Sequence, residues 1–140
     1  IRTNVRTNVG FLQFHSAVSS YFSGMISIET FREICLSMPE TYEVRHWENA
    51  AFRTKKRIFA TVREAEQTVN FRFTPEVQAA FCAQDAKGFY PVKGGWGLQG
   101  WTIADLRKVK RSMLVSAVQS AWYGAAPPKL QEQYRMQNGL

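Results

Sequence analysis

At 140 residues the chain can enclose one well-buried core but not two ordinary domains. Its hydrophobic share of 45% is that of a globular protein, no apolar run reaches the length a membrane helix needs, and low-complexity sequence is absent, so a soluble fold is expected. A formal net charge of +7 favours an anionic partner, whether nucleic acid, acidic protein or anionic membrane surface, because screened Coulomb attraction acts before any specific contact forms.

The segment up to Gly24 contains no acidic residue and begins with the tandem Arg2-Thr3-Asn4-Val5 and Arg6-Thr7-Asn8-Val9. It lacks the continuous apolar centre of a secretory signal, and Met25 is a plausible natural start. Residues 1–24 are therefore expected to be an upstream-derived or appended extension, with a disordered arm as the alternative. Residues 25–130 are expected to form the domain, and 131–140 a polar tail.

Ser27 is a natural helix cap, and Phe31, Ile34, Cys35 and Met38 recur at helical spacing before Pro39 ends the helix. Thr41 to Asn49 reads as a polar connection containing His46 and Trp47. A hairpin follows between Arg53 and Arg72, in which basic residues interleave with apolar ones across a short acidic turn. Period-two alternation puts Ile58, Ala60 and Val62 on one face with Val69, Phe71 and Phe73. Arg57, Phe59, Thr61 and Arg63 then line the other face with Asn70 and Arg72, while Lys55 and Lys56 sit at a turn tip.

Thr74 caps a second helix with Pro75 at its first position, where a missing N–H costs nothing. Val77, Ala80 and Phe81 form its buried side and Gly88 closes it. Phe89 to Val92 is a candidate edge strand, since Pro91 cannot donate to a ladder. After a glycine-rich loop, Gln99 to Ala104 forms a further strand, and Leu114, Ala117, Val118, Ala121 and Trp122 make the stripe of a final helix. Lys129 to Leu140 is polar and expected to fray. Helix, hairpin, helix, strands and helix in that order spell an α+β fold, an antiparallel sheet with helices packed on one face.

The catalytic and cofactor signals are weak. Gly95-Trp96-Gly97-Leu98-Gln99-Gly100 has the spelling of a dinucleotide fingerprint, but Trp101-Thr102-Ile103 continues as a strand where a helix should receive the pyrophosphate. His46 lies near Glu43, Glu48 and Arg45 without a nucleophile or second histidine beside it, so it reads as a surface or packing residue. The two cysteines, Cys35 and Cys82, fall on apolar stripes of separate helices and have neither disulfide nor zinc spacing. They suit a reducing, cytoplasmic setting, and no metal or cofactor is expected.

Separated motifs in order carry a resemblance over roughly residues 28–130. Met38-Pro39-Glu40, His46-Trp47, Ala51-Phe52-Arg53 and Lys56-Arg57-Ile58-Phe59-Ala60-Thr61 resemble the opening motifs of the MmcQ/YjbR family of small bacterial proteins. Gly94-Gly95-Trp96-Gly97, Gln99-Gly100-Trp101-Thr102, Ala121-Trp122, Ala126-Pro127 and Lys129-Leu130 resemble its closing ones. The resemblance implies a CyaY-like fold, similar to the bacterial frataxin homologue, and a "double-wing" DNA-binding role without catalytic residues. It does not carry iron chemistry across, because the first helix has few carboxylates. Lys56 and Glu48 stand where family members usually have glycine.

The expected function is thus non-enzymatic binding of nucleic acid, DNA in particular and with weak sequence preference, by a monomer that does not engage membranes. Arg53, Lys55, Lys56, Arg57, Arg63 and Arg72 are the candidate phosphate contacts, joined by Lys108, Lys110 and Arg111 from a second basic run that opposes the dipole of the final helix. Phe59 is the candidate stacking residue. The alternative is a protein-interaction module that recognises an acidic partner through Trp47, Trp96 and the basic loop.

Overall fold

The computed structural model describes residues 25–140, so the extension expected over 1–24, with His15, lies outside the described residues. Helix α1 spans Ile28–Leu36 and starts where its cap predicts, with the Ser27 hydroxyl accepting the Thr30 N–H at 3.0 Å. Phe31 and Cys35 are its buried pair, and Phe31 meets Phe52 and Phe71 edge-on at 5.7 and 5.8 Å. Burial pushes the Cys35 thiol well above its ordinary pKa, which makes it a packing group rather than a nucleophile.

Strands β1 (Tyr42–His46), β2 (Asn49–Arg53), β3 (Ile58–Arg63) and β4 (Thr68–Arg72) follow as a meander. Helix α2 (Pro75–Gln84), strand β5 (Phe89–Pro91), the single turn α3 (Gly95–Leu98) and strand β6 (Trp101–Asp105) come next, then helices α4 (Arg111–Ala125) and α5 (Pro128–Gln137). The six strands form one antiparallel sheet in the order β1-β2-β3-β4-β6-β5, with helices on one face. This is the expected α+β class.

Burial separates the two faces of the sheet. Ala50, Phe52, Ala60, Val62, Val69, Phe71 and Ala104 pack into the helical core, whereas Ala51 is fully buried yet stands outside that cluster, on the opposite side. Helix α4 lies across β3 and β4 and buries the expected stripe of Leu114, Ala117, Val118, Ala121 and Trp122. Helix α1 packs on α4, and the Trp122 indole donates to the Pro39 carbonyl at 2.9 Å. An aromatic run through Phe71, Phe73, Phe81 and Phe89, with ring centroids 5.1 to 5.4 Å apart, seats α2 against the sheet.

Three local expectations change. Tyr42 to His46 is a strand, not a connection. It lies at the sheet edge with every residue but Val44 exposed, so the alternation that marks a half-buried strand is missing from its sequence. Ala80 is exposed and α2 buries chiefly Phe81, with Gly88 three residues beyond the Asp85 cap. The chain after Lys129 does not fray: α5 buries Leu130 and lays Tyr134 on Trp122 at 5.2 Å, two apolar contacts one helical turn apart in an otherwise polar segment.

Candidate nucleic-acid interface

The β2–β3 register reorganises the basic hairpin. Ala51 opposes Thr61 and Phe52 opposes Ala60, but Arg53 opposes Ile58, so Phe59 is an extra residue in β3. A bulge of this kind resets the two-residue alternation. Phe59, expected on the cationic face, is fully buried in the core. Ile58 therefore shares the side of Arg53 instead of that of Ala60 and Val62, and the half-buried Arg57 no longer alternates onto the side of Arg63. The expected row of Arg57, Arg63 and Arg72 does not form.

What forms instead is a cluster at one end of the sheet. Thr54 is fully buried, donates to the Ala125 carbonyl at 2.6 Å and accepts the Lys56 N–H at 3.1 Å, so its hydroxyl ties the β2–β3 turn to the C-terminus of α4. Arg53 folds over the same turn, donating to the Thr54 and Lys55 carbonyls at 3.0 and 3.4 Å. Lys55 and Lys56 are exposed at the tip. Antiparallel pairing then brings Arg72 to this end, opposite Trp101, and Lys93 follows Val92, whose N–H bonds the Trp101 carbonyl at 3.0 Å. Among the described residues Arg53, Lys55, Lys56, Arg57, Arg72 and Lys93 form no ion pair with an acidic side chain.

The second basic run lies at the other end. Arg63 opposes Thr68, Thr68 opposes Asp105, and the Leu106 N–H bonds the Gln67 carbonyl at 3.0 Å, so Arg63, Arg107, Lys108, Lys110 and Arg111 gather there. The ends are separated by strands roughly 17 Å long, about twice the physiological Debye length, so the two clusters do not merge into one field. Acids also damp this second cluster. Arg63 pairs with Glu66 at 3.6 Å, while Arg107 and Lys108 reach the buried Asp105 carboxylate at 3.0 and 3.9 Å. Burial alone would raise the Asp105 pKa, but the Arg107 side-chain and backbone hydrogen bonds, with the Arg107 and Lys108 charges, outweigh it and hold the carboxyl below its ordinary value.

The glycine-rich loop has a packing explanation. A Cβ at Gly97 would stand 1.8 Å from the Val92 carbonyl oxygen, and one at Gly100, where φ is +116°, would stand 2.0 Å from that of Phe73. The single turn α3 leads into strand β6, so the fingerprint spelling finds no following helix. The loop instead presents Trp96, 63% exposed, edge-on to Trp101 at a centroid distance of 6.5 Å. Trp101 is half-buried on the face away from the helices, where Ile103 and Tyr90 form the adjacent pair. Trp101, Tyr90 and Lys93 are the residues that sequence reading passed over; strand parity around Trp101 could have found the first, but only the β5–β6 pairing brings in Tyr90.

Among the described residues neither His46 nor the cysteines acquire a partner suited to catalysis. His46 is exposed with its ring edge-on to Trp47 at 6.2 Å, and Trp47 itself is 86% exposed in a left-handed turn conformation, φ +61°. Cys35 and Cys82 are free thiols. Among the described residues no group of three or more His, Cys, Asp or Glu side chains could hold a metal ion, and no helix is long and apolar enough to cross a membrane. A cleft of about 600 Å³ between α1 and the β1–β2 hairpin contains Arg32, Arg45, Glu48 and Glu64, but Arg32 is already held bidentately by Glu43 and by Glu29.

Comparison with solved structures gives the same architecture in proteins of very different sequence. The fold is similar to that of Deinococcus radiodurans protein DR2400, which carries domain DUF419, with a TM-score of 0.64 at 16% identity over 84% of this chain and 91% of that one. A Pseudomonas syringae protein aligns with a TM-score of 0.58 at 15% identity over 72% of this chain and 100% of its own. No curated protein matches the sequence. The YjbR family model matches residues 36–123, which runs from the end of α1 to the last turns of α4 and includes every strand of the sheet. The chain therefore belongs to the YjbR family.

Proposed function

We propose that the protein is a non-enzymatic, cytoplasmic nucleic-acid-binding domain that grips the phosphate backbone, of DNA in particular, through the cations at the β2–β3 turn. The observation that carries this reading is the gathering of Arg53, Lys55, Lys56, Arg57 and Arg72 at one end of the sheet without an acidic partner among the described residues. Such a group attracts a polyanion and releases its counterions, which gives affinity with little sequence preference. Arg63, Lys108, Lys110 and Arg111 form a secondary contact set, weakened by Glu66 and Asp105.

Fluorescence anisotropy of labelled oligonucleotides across a series of salt concentrations tests the proposal. If all five turn-end cations meet phosphates, log Kobs falls against log salt with a slope of about −4.5 on a duplex and about −3.5 on a single strand. Lys55→Glu with Lys56→Glu lowers that slope by about 2, while Lys108→Glu with Arg111→Glu changes it less. Absence of binding at low salt, or equal loss from both pairs, would overturn the assignment. The exposed Trp47 at the β1–β2 tip favours a second reading, recognition of an acidic protein partner. A partner captured free of nucleic acid and lost with Trp47→Ala would support it instead.

A further inference from the structure

We infer that the face of the sheet opposite the described helices is a stacking platform, and that the nucleic acid bound here is single-stranded. The inference rests on the proposed backbone contacts and adds what lies beside them. Register places Arg72 directly opposite Trp101, and Asn70 opposite Ile103, which in turn opposes Tyr90. Trp101, Ile103 and Ile58 are half-buried, yet none packs against the helical core, and Tyr90 is 37% exposed. Trp96 extends this strip beyond Trp101, ring edge to ring face. Aromatic rings, a stripe of aliphatic surface and amide and hydroxyl groups thus share a single face, with Trp101 and Trp96 beside Arg72 and Tyr90 farther along β6 toward Asp105.

The chemistry of that arrangement selects between forms of nucleic acid. A duplex hides the faces of its bases and offers a protein only groove edges and phosphates, so an exposed indole and phenol gain little from it. A single strand presents each base face, and base–aromatic stacking is tolerant of sequence because every base has one. Stacking on Trp101 and Tyr90 would hold bases against β6 and β5 while Arg72, Arg53 and Lys55 meet the backbone along the rim. Thr61 and Asn70, paired across β3 and β4, offer donors and acceptors to a base edge without completing a sequence code. Phe59 has no part in this, because the bulge has taken it into the core.

The test uses the full chain and three probes: a poly-dT oligonucleotide, a hairpin duplex of the same phosphate count, and heparin as a polyanion without bases. The platform predicts that poly-dT binds at least ~10-fold more tightly than the duplex or heparin and quenches tryptophan fluorescence. Tyr90→Ala and Trp96→Ala, both at exposed positions, should each weaken poly-dT by roughly 10-fold while leaving the salt slope unchanged. Trp101→Phe keeps a ring in the strand and should lose less than Trp101→Thr, with circular dichroism reporting that each is folded. Equal affinity for all three probes, with the aromatic variants silent, would overturn the platform and leave the backbone contacts standing. Binding to none of the probes at low salt would overturn both.

Discussion

Thr54 joins stability to the site, so its substitution is the most informative single change. Its hydroxyl is fully buried, donates at 2.6 Å to the Ala125 carbonyl and accepts the Lys56 N–H at 3.1 Å. Thr54→Val keeps the shape and removes both bonds, together with the longer one the hydroxyl accepts from the Arg57 N–H at 3.4 Å. The lost hydrogen bond to Ala125 is worth ~1 kcal/mol, and a carbonyl left buried without a donor costs about 1–3 kcal/mol more. A loss of about 2–4 kcal/mol is therefore expected, since the turn N–H groups can turn to water. Thr54→Ser keeps the hydroxyl and gives up one buried methyl, at about 1 kcal/mol. Urea unfolding followed by near-ultraviolet circular dichroism measures the difference: at an m of about 2 kcal/mol/M, the Val variant should lose about 1–2 M in midpoint with m unchanged. The same variant should loosen Lys55 and Lys56 and weaken binding to anionic probes. A Val variant as stable as the Ser variant would refute the tether.

Two further outcomes test the bulge and the buried acid. Phe59→Ala should cost about 3–5 kcal/mol as a core cavity; Phe59→Leu, once circular dichroism shows it folded, should bind nucleic acid like the parent in anisotropy, and a loss of affinity there would return Phe59 to the interface. Asp105 has a folded pKa below its ordinary value, so its contribution is present above the unfolded pKa and is lost as pH falls through the folded one. Replacing it with Asn should lower neutral-pH stability by about 2 kcal/mol and flatten the acid limb of a pH–stability curve measured by chemical denaturation. An acid limb as steep as the parent's would show that other carboxylates carry it.

Much of the fold was legible wherever one face of an element is buried. The Ser27 and Thr74 caps, the Pro75 start and the α4 stripe each follow from local rules that tertiary context does not disturb. Strand β1 was not, because an edge strand with little buried surface carries no period-two signal. Helix α5 was not either: Leu130 and Tyr134 are too few to write a stripe, and their role depends on Trp122 standing opposite.

The sequence by itself determined the charge, the class of fold and the identity of the cations, since composition, caps and periodicity are local properties. Only the tertiary structure decided how those cations are grouped. One extra residue in β3 inverted the alternation, buried Phe59 and separated Arg57 from Arg63, because a bulge is set by the pairing of two strands and not by either strand alone. Antiparallel pairing then carried Arg72 and Trp101 to the Lys55–Lys56 turn and the Lys108–Arg111 run to the far end, a division that residues distant in the chain acquire only when the sheet assembles.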